Sequence, residues 1–404
     1  MIKKFLLGII ICLLFVSCIE EFKIPQSKSN TYESIVVIQG RILAGEESII
    51  YVQYAQVLGS LYNPVYIKDA KVTVIGQNGY ESEMGSYDEE NHYYRIDTRN
   101  LSANTLYAVQ VEADGETYQS EFQEILPTPE IDELTYKERE DGISIHVSTH
   151  AESDAPRLYM WTFEEDWEFH AELDISQFAE KHIIYNNKIY PNVTYHQNPY
   201  FYCWQNNQSS QVFLYDTTPL EENTVKNHEL FRIPIDDQRI SYIYCITLKQ
   251  WTLNEKSYEY YRLVKLYSEE SGGLFSPIPT EIKGNVKCIS DESKATKGYV
   301  MASNVTTKRM FIYASDFTQV IPEYEFCHYV TGMDAANSDP YGRNWWILDW
   351  MEETRKNGAI ILTGNSQGEI RKETSIFYSN YCVDCRKSDK ATKKRPDFWP
   401  NNHE

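Results

Sequence analysis

Four groups of residues in this chain are of types that do chemistry elsewhere. Gly364-Asn365-Ser366-Gln367-Gly368 has the Gly-x-Ser-x-Gly spacing of a nucleophile elbow and follows an apolar stretch at Ala359–Leu362. An elbow needs a parallel sheet, a helix directly after the serine and later strands for the acid and base. Glu369–Tyr378 reads instead as a strand and few residues follow it, so a glycine-rich hairpin turn is the better account. Glu164, Glu165, Asp166 and Glu168, between Trp161 and His170, are carboxylates beside aromatics and raise sugar hydrolysis as a reading. That reaction needs two carboxyls facing each other from separate elements across about 5 to 9 Å. Neighbours in one segment predict a solvated or loosely cation-binding acidic strand edge. His146 and His150 share one face of a strand without a third ligand close by, so no metal is assigned to them. Cys382-Val383-Asp384-Cys385 is a Cys-x-x-Cys, but no βαβ unit surrounds it for redox work, and no second Cys or His pair completes a zinc site. No catalytic residue, metal or cofactor is therefore assigned.

A fifth group suits contact rather than chemistry. Tyr195, Tyr200, Tyr202 and Trp204 lie in a stretch rich in Asn and Gln, where rings give rigid area and amides give hydrogen bonds to a ligand or partner. The alternative is an irregular loop packing its rings into its own domain.

The elements that must hold these groups are mostly strands. The first stretch, 33–128, carries the apolar run Ile35–Ile38, the alternation of Val72 and Val74, and that of Tyr107, Val109 and Val111. Asn78-Gly79 and Asp114-Gly115 supply hairpin turns. This pattern predicts an immunoglobulin-like or carboxypeptidase-regulatory-like β-sandwich, ended by Pro127-Thr128-Pro129. A larger β-rich domain follows over 130–404. Ile143, Ile145 and Val147 alternate in one strand, and Ile240, Tyr242, Tyr244, Ile246 and Leu248 in another. One helix starts after Asn254 as N-cap, and a weaker one is expected from Trp345 to Lys356. The fold class is thus mainly β with one or two helices. The closing basic run, Arg386 to Arg395, reads as a solvated tail that could meet an acidic partner.

Composition sets the outer bounds. The chain has 404 residues and a formal charge of −21, which excludes a general nucleic-acid binder because phosphate contacts need a basic face. Lys3 and Lys4 precede an apolar run from Phe5 to Val16, shorter than the about 20 residues of a membrane-spanning helix. This is the form of a secretory signal over 1–17. Leu14-Phe15-Val16-Ser17-Cys18 resembles a bacterial lipobox, with Phe15 where Leu is usual, which implies that Cys18 is lipidated and becomes the new N-terminus. Two or three acyl chains suffice for stable anchoring. Loss of Lys3 and Lys4 with the signal takes the charge from −21 to −23, so the folded part should stand away from anionic lipid on the polar linker that ends at residue 32. Glu20 and Glu21 resemble the surface-export signal of Bacteroidota lipoproteins. Of eight cysteines, Cys12 leaves with the signal, and in an oxidising compartment Cys203, Cys245, Cys288, Cys327, Cys382 and Cys385 are candidates for up to three disulfides of open pairing. Asp216-Thr217-Thr218 resembles the short O-glycosylation acceptor of Bacteroidota, with Thr217 as the acceptor.

Several spaced motifs occur together: Trp161–Trp167, Lys249–Leu253, Gly273–Pro279, Gly284–Cys288, Gly298–Val300, and Cys382–Arg386 leading to Arg395–Trp399. In this combination the chain resembles the Bacteroidota lipoproteins grouped as domain-of-unknown-function family 4249, over nearly its whole mature length. The resemblance carries no catalytic residues. It implies an outer-membrane lipoprotein facing the cell surface, accessory to a TonB-dependent transporter in nutrient capture or uptake. A surface-anchored hydrolase of glycan or peptide and an envelope scaffold or adhesin are the competing expectations.

Overall fold

A computed structural model describes residues 35–55, 64–102, 104–171, 177–185, 188–195, 200–209, 211–269, 282–319, 329–331, 360–362, 376–378 and 384–400. The protein is mainly β and falls into two compact units, one built from 1–124 with 283–301 and the other from 125–282 with 302–404. The boundary expected near residue 128 therefore comes a few residues early, and the first unit is discontinuous in sequence.

The first unit is sandwich-like. One sheet contains β1 (Val36–Leu43), β2 (Glu47–Tyr54), β4 (Ser86–Asp88) and β5 (Tyr93–Asp97); the other contains β3 (Lys71–Gly76), β6 (Leu106–Ala113), β7 (Glu116–Ser120) and β8 (Gln123–Glu124). The alternation read from the sequence for the second sheet is the one that packs, whereas the run Ile35–Ile38, which could have been buried on both faces, alternates, with Val36 and Ile38 buried and Val37 half-buried. Val36, Ile38, Ile50, Val52 and Ile96 are buried from the first sheet, and Val72, Val74, Tyr107, Val109 and Val111 from the second. The buried Tyr94 hydroxyl accepts from the Ala70 amide (2.9 Å) and donates to the Ile67 carbonyl (2.8 Å). The β6–β7 hairpin turns on Asp114 (φ 55°) and Gly115 (φ 78°), two successive left-handed residues that match the strand twist.

Each sheet then gains an edge strand from far along the chain. β18 (Val286–Cys288) pairs antiparallel with β7, and β19 (Thr296–Lys297) pairs parallel with β1. Gly298 (φ 108°) lets this returning segment pass close to β1, since a Cβ there would sit 2.0 Å from the Ile38 carbonyl oxygen. The chain leaves through β20 (Val300–Ser303).

The second unit is built on two packed sheets. β9 (Ile131–Arg139), β10 (Gly142–His150) and β16 (Thr224–Pro234) form one; β11 (Leu158–His170), β14 (Tyr202–Gln208), β15 (Phe213–Asp216), β17 (Ile243–Leu253) and β21 (Val305–Tyr313) form the other. Their shared core joins Ile143, Ile145, Val147 and Ile233 to Tyr159, Trp161, Phe163, Tyr244, Ile246 and Leu248. The expected two-faced alternation of the Ile240–Leu248 segment is corrected here. Ile240 belongs to a short 3-10 helix (Gln238–Ile240), and β17 runs between β11 and β21 with nearly every residue buried on both faces. A strand with neighbours on both sides and cover on both faces has no water-facing register. Helix α1 (Glu255–Glu269) begins where the sequence places it, with Asn254 Oδ1 accepting from the Ser257 amide at 2.8 Å. β12 (Gln177–Tyr185) and β13 (Lys188–Tyr195) form a hairpin, and β22 (Tyr329–Thr331), β23 (Ile360–Leu362) and β24 (Ile376–Tyr378) a small antiparallel sheet.

Candidate functional site

The carboxylates of β11 are not on a strand edge. β17 pairs along one side of β11 and β14 with β15 along the other, so the segment is interior to its sheet, and Glu165 and Glu168 are 2% and 0% exposed. The expectation of a solvated acidic edge fails because thirteen residues of mixed polarity still take the central position once Tyr159, Trp161 and Phe163 bury one face. Glu165 follows those rings on the same face and is met by three donors: Arg239 Nη1 at 2.7 Å, the Tyr244 hydroxyl at 2.7 Å and Asn207 Nδ2 at 3.1 Å. Arg239 reaches it from the 3-10 helix while holding Asp237 through Nε (3.0 Å) and Nη2 (2.8 Å). Burial opposes ionisation of Asp237, yet the Arg239 hydrogen bonds hold its carboxyl below the ordinary value. Burial, with the Glu165 charge beside it, pushes the Tyr244 phenol well above its usual value. Glu165 is thus committed to an ion pair and a phenol, which fits a structural clasp rather than proton transfer.

The opposite face carries Glu164, Asp166 and Glu168. Glu164 pairs with Lys249 at 2.6 Å. Burial first, then the Glu164 charge, raises Asp166 to about 6, with Arg309 working against both. Its cross-strand neighbour Cys245 is raised to about 12, mainly by burial, so this thiol stays protonated and unreactive. Glu168 accepts a 2.6 Å hydrogen bond from Trp399 Nε1, a donor that comes from the C-terminal segment.

That segment, residues 384–400, is pinned rather than trailing, which corrects the reading of Arg386–Arg395 as a solvated tail. Cys385 is disulfide-bonded to Cys203 on β14. The Cys385 amide donates to the Tyr200 carbonyl (3.0 Å), and Thr392 and Trp204 exchange amide-to-carbonyl bonds at 2.8 and 2.9 Å, covering the outer edge of β14. Gln205 Nε2 donates to the Asp389 carbonyl and Lys393 Nζ to that of Tyr202. Trp399 packs with Trp204, Ile243 and Cys245. The backbone is tied down, while the Lys and Arg side chains remain in water.

The structure disperses the other sequence candidates. Trp204 is buried, which removes it from any contact surface; Tyr200 lies half-buried under the Arg386 guanidinium (3.5 Å), and Tyr202 packs on Phe201, His170 and Tyr242. Tyr195 ends β13, and its side chain lies outside the described residues. The disulfide expectation is narrowed. Cys203 pairs with Cys385, whereas Cys245 and Cys288 are free and buried, because the cross-strand partners of Cys245 are Asp166 and Phe311 and that of Cys288 is Tyr118. Thr217 is corrected as a glycosylation acceptor: it is 0% exposed, and its hydroxyl is shared between the Arg157 carbonyl (3.0 Å) and Asn223 Oδ1 (2.7 Å). His146 and His150 do not converge. His150 is exposed against Asp132 (2.8 Å), while His146 is buried with Nε2 2.8 Å from Ser144 Oγ and Nδ1 3.1 Å from the Asn227 carbonyl. Ser144 and His146 have the spacing of a nucleophile and base, but Ser144 is fully buried with Arg139 Nε 3.1 Å from its oxygen, so no substrate atom can reach it. Cys18, Cys327, Cys382, Ser366 and the 345–356 segment lie outside the described residues. Among the described residues, no three His, Cys, Asp or Glu side chains are grouped to hold a metal ion, and no helix is long and apolar enough to cross a membrane.

Sequence reasoning missed Arg239, Tyr244, Asn207, Arg309 and Trp399. One signal was available: Glu165 falls on the inward parity of Tyr159, Trp161 and Phe163, and an inward carboxylate demands a cation from elsewhere in the chain.

The fold and these clasps define a mainly β protein of two units, its second unit strapped by its own C-terminal segment. The chain belongs to the family described as Domain of unknown function (DUF4249), whose model matches residues 19–309. The strap lies beyond the matched stretch. No curated protein matches the chain.

Proposed function

We propose that this protein is a non-catalytic, lipid-anchored lipoprotein of the outer membrane, facing the cell surface and accessory to a TonB-dependent transporter in nutrient capture or uptake. The observation that carries the reading is the N-terminal sequence: Lys3 and Lys4, the apolar run from Phe5, and a lipobox ending in Cys18. Glu20 and Glu21, which follow that cysteine after Ile19, support the outer leaflet. Support for a binding rather than a catalytic role comes from the acidic strand, where Glu165 is held by Arg239 and Tyr244 and Glu168 by Trp399. A glycan hydrolase would need those carboxyls facing a substrate.

Two measurements test the reading. Cells fed an alkyne fatty acid should label the wild-type protein and leave Cys18→Ala unlabelled and released from the membrane fraction; equal labelling of both would overturn the anchor. Extraction in mild detergent should recover one outer-membrane transporter at near-equal stoichiometry, as judged by mass spectrometry. Recovery of the lipoprotein alone would count against the accessory role.

A further inference from the structure

The strap is a basic ridge on an acidic protein. Residues 384–399 hold six Lys or Arg against three Asp, in a chain whose formal charge is −21. Their side chains are exposed at Arg386, Lys387, Lys390, Lys393, Lys394 and Arg395, and Lys387, Lys390 and Lys394 form no ion pair with a described residue. A solvated tail of this composition would pay the full entropy of ordering on contact. Here the ordering is already done by the Cys203–Cys385 bond, the Thr392–Trp204 pair and the Trp399–Glu168 hydrogen bond.

One further feature marks the ridge as a contact surface. Phe398 is 38% exposed, one of the few large apolar side chains left in water among the described residues, and the exposed Arg309 guanidinium stacks on its ring at 3.6 Å. A preformed pair of this kind belongs to the residue types that dominate interface energetics.

We propose that the strap of residues 384–399 is a docking surface for an acidic segment of a partner protein, with Lys387, Lys390 and Lys394 meeting its carboxylates and the Arg309–Phe398 stack as the apolar anchor. Charge complementarity selects an acidic partner. The pattern selects a protein over a lipid surface: Asp389 and Asp397 interrupt the cations at fixed positions, and a mixed-sign array on a rigid backbone finds register against a matching array, whereas a uniformly anionic bilayer leaves the two aspartates without a counter-charge. Contact is local, because beyond a Debye length of about 8 Å the acidic body is screened. The inference goes beyond the anchoring reading and does not depend on it.

The test uses the full-length protein in unfractionated native cell lysate and a zero-length carbodiimide, which joins a lysine amine to a carboxyl only at ion-pair distance. Mass spectrometry should find Lys387, Lys390 or Lys394 joined to Asp or Glu of one recurring protein. The triple variant Lys387→Glu, Lys390→Glu, Lys394→Glu should lose that product by about tenfold or more, with an unchanged thermal midpoint. The corresponding Lys→Arg triple should keep co-purification of the same protein while losing the covalent product, since guanidinium does not couple. Oligoglutamate peptide should bind wild type and not the Glu triple, and vesicles of phosphatidylcholine with phosphatidylglycerol should bind neither. Products confined to this chain or scattered over many proteins, or vesicle binding lost in the Glu triple, would overturn the proposal. Because fatty-acid labelling at Cys18 is read separately, failure here leaves the anchor standing, and the reverse also holds.

Discussion

Asp166 is half-buried beside Glu164 with Arg309 as the opposing charge, and its carboxyl titrates at about 6 in the folded state against 3.8 ordinarily. A carboxyl raised on folding stabilises the fold below its unfolded value, and that contribution disappears as pH rises through the folded one. Between about pH 4 and 6 the native state therefore binds the extra proton, and above 6 the ionised group is a liability. Asp166→Asn should raise stability at pH 7 by about 1 kcal/mol, less than the full shift implies because the group is partly solvated. Equal denaturant midpoints for wild type and variant at pH 7 would sink this account. On the other face, Arg239→Ala strips a charge from the buried Glu165 and should cost about 3 to 5 kcal/mol, read as a loss of urea midpoint at pH 7. The carboxylate run was plain in the sequence and its environment was not. The inward parity of Glu165 went unread, and nothing local points to Arg239, which reaches Glu165 from the 3-10 helix.

At the scale of elements, the legible parts were those governed by nearest neighbours. The Asp114-Gly115 turn, the Val72 and Val74 alternation and the Asn254 cap each need only a few residues to declare themselves, and each is present. β17 was misread because period-2 alternation and full burial both place Ile and Tyr at even positions; the odd positions Cys245 and Thr247 looked neutral, although Trp399 packs on the first and Arg309 of β21 bonds the second. The strap was read as a tail because six charges outweigh one Cys and one Trp in composition, although those two residues fix it. Cys203→Ser should destabilise the second unit by about 2 to 5 kcal/mol, the usual range for loss of a native disulfide that closes a long loop. Hydrogen exchange should locate the change, with the Cys385 and Thr392 amides gaining exchange while β9 and β10 stay protected. Unchanged protection at Thr392 would mean that Trp399 and the backbone pairs hold the strap without the bond.

At the scale of the whole molecule, composition and strand patterning set the fold class, and topology stayed hidden. Mainly β architecture, an acidic body and the family resemblance were all readable from types and spacing. The return of residues 283–301 to the first unit was not, since strand pairing over such a separation leaves no local signature. A fragment spanning 33–128 accordingly lacks both β18 and β19 and exposes the edges of β7 and β1. It should show lower solubility and a broader unfolding transition than the same fragment joined by a short linker to residues 283–301. Identical behaviour of the two, measured by sedimentation and thermal melts, would show that the returning strands add nothing.

The same return sets an order of events during synthesis. The unit nearest the N-terminus leaves the ribosome first, yet its two outer strands are made only after the intervening 125–282. At about 5 to 20 residues per second, that interval lasts on the order of ten seconds. Until Lys297 has been made, the first sandwich lacks the strands that cover the edges of β7 and β1.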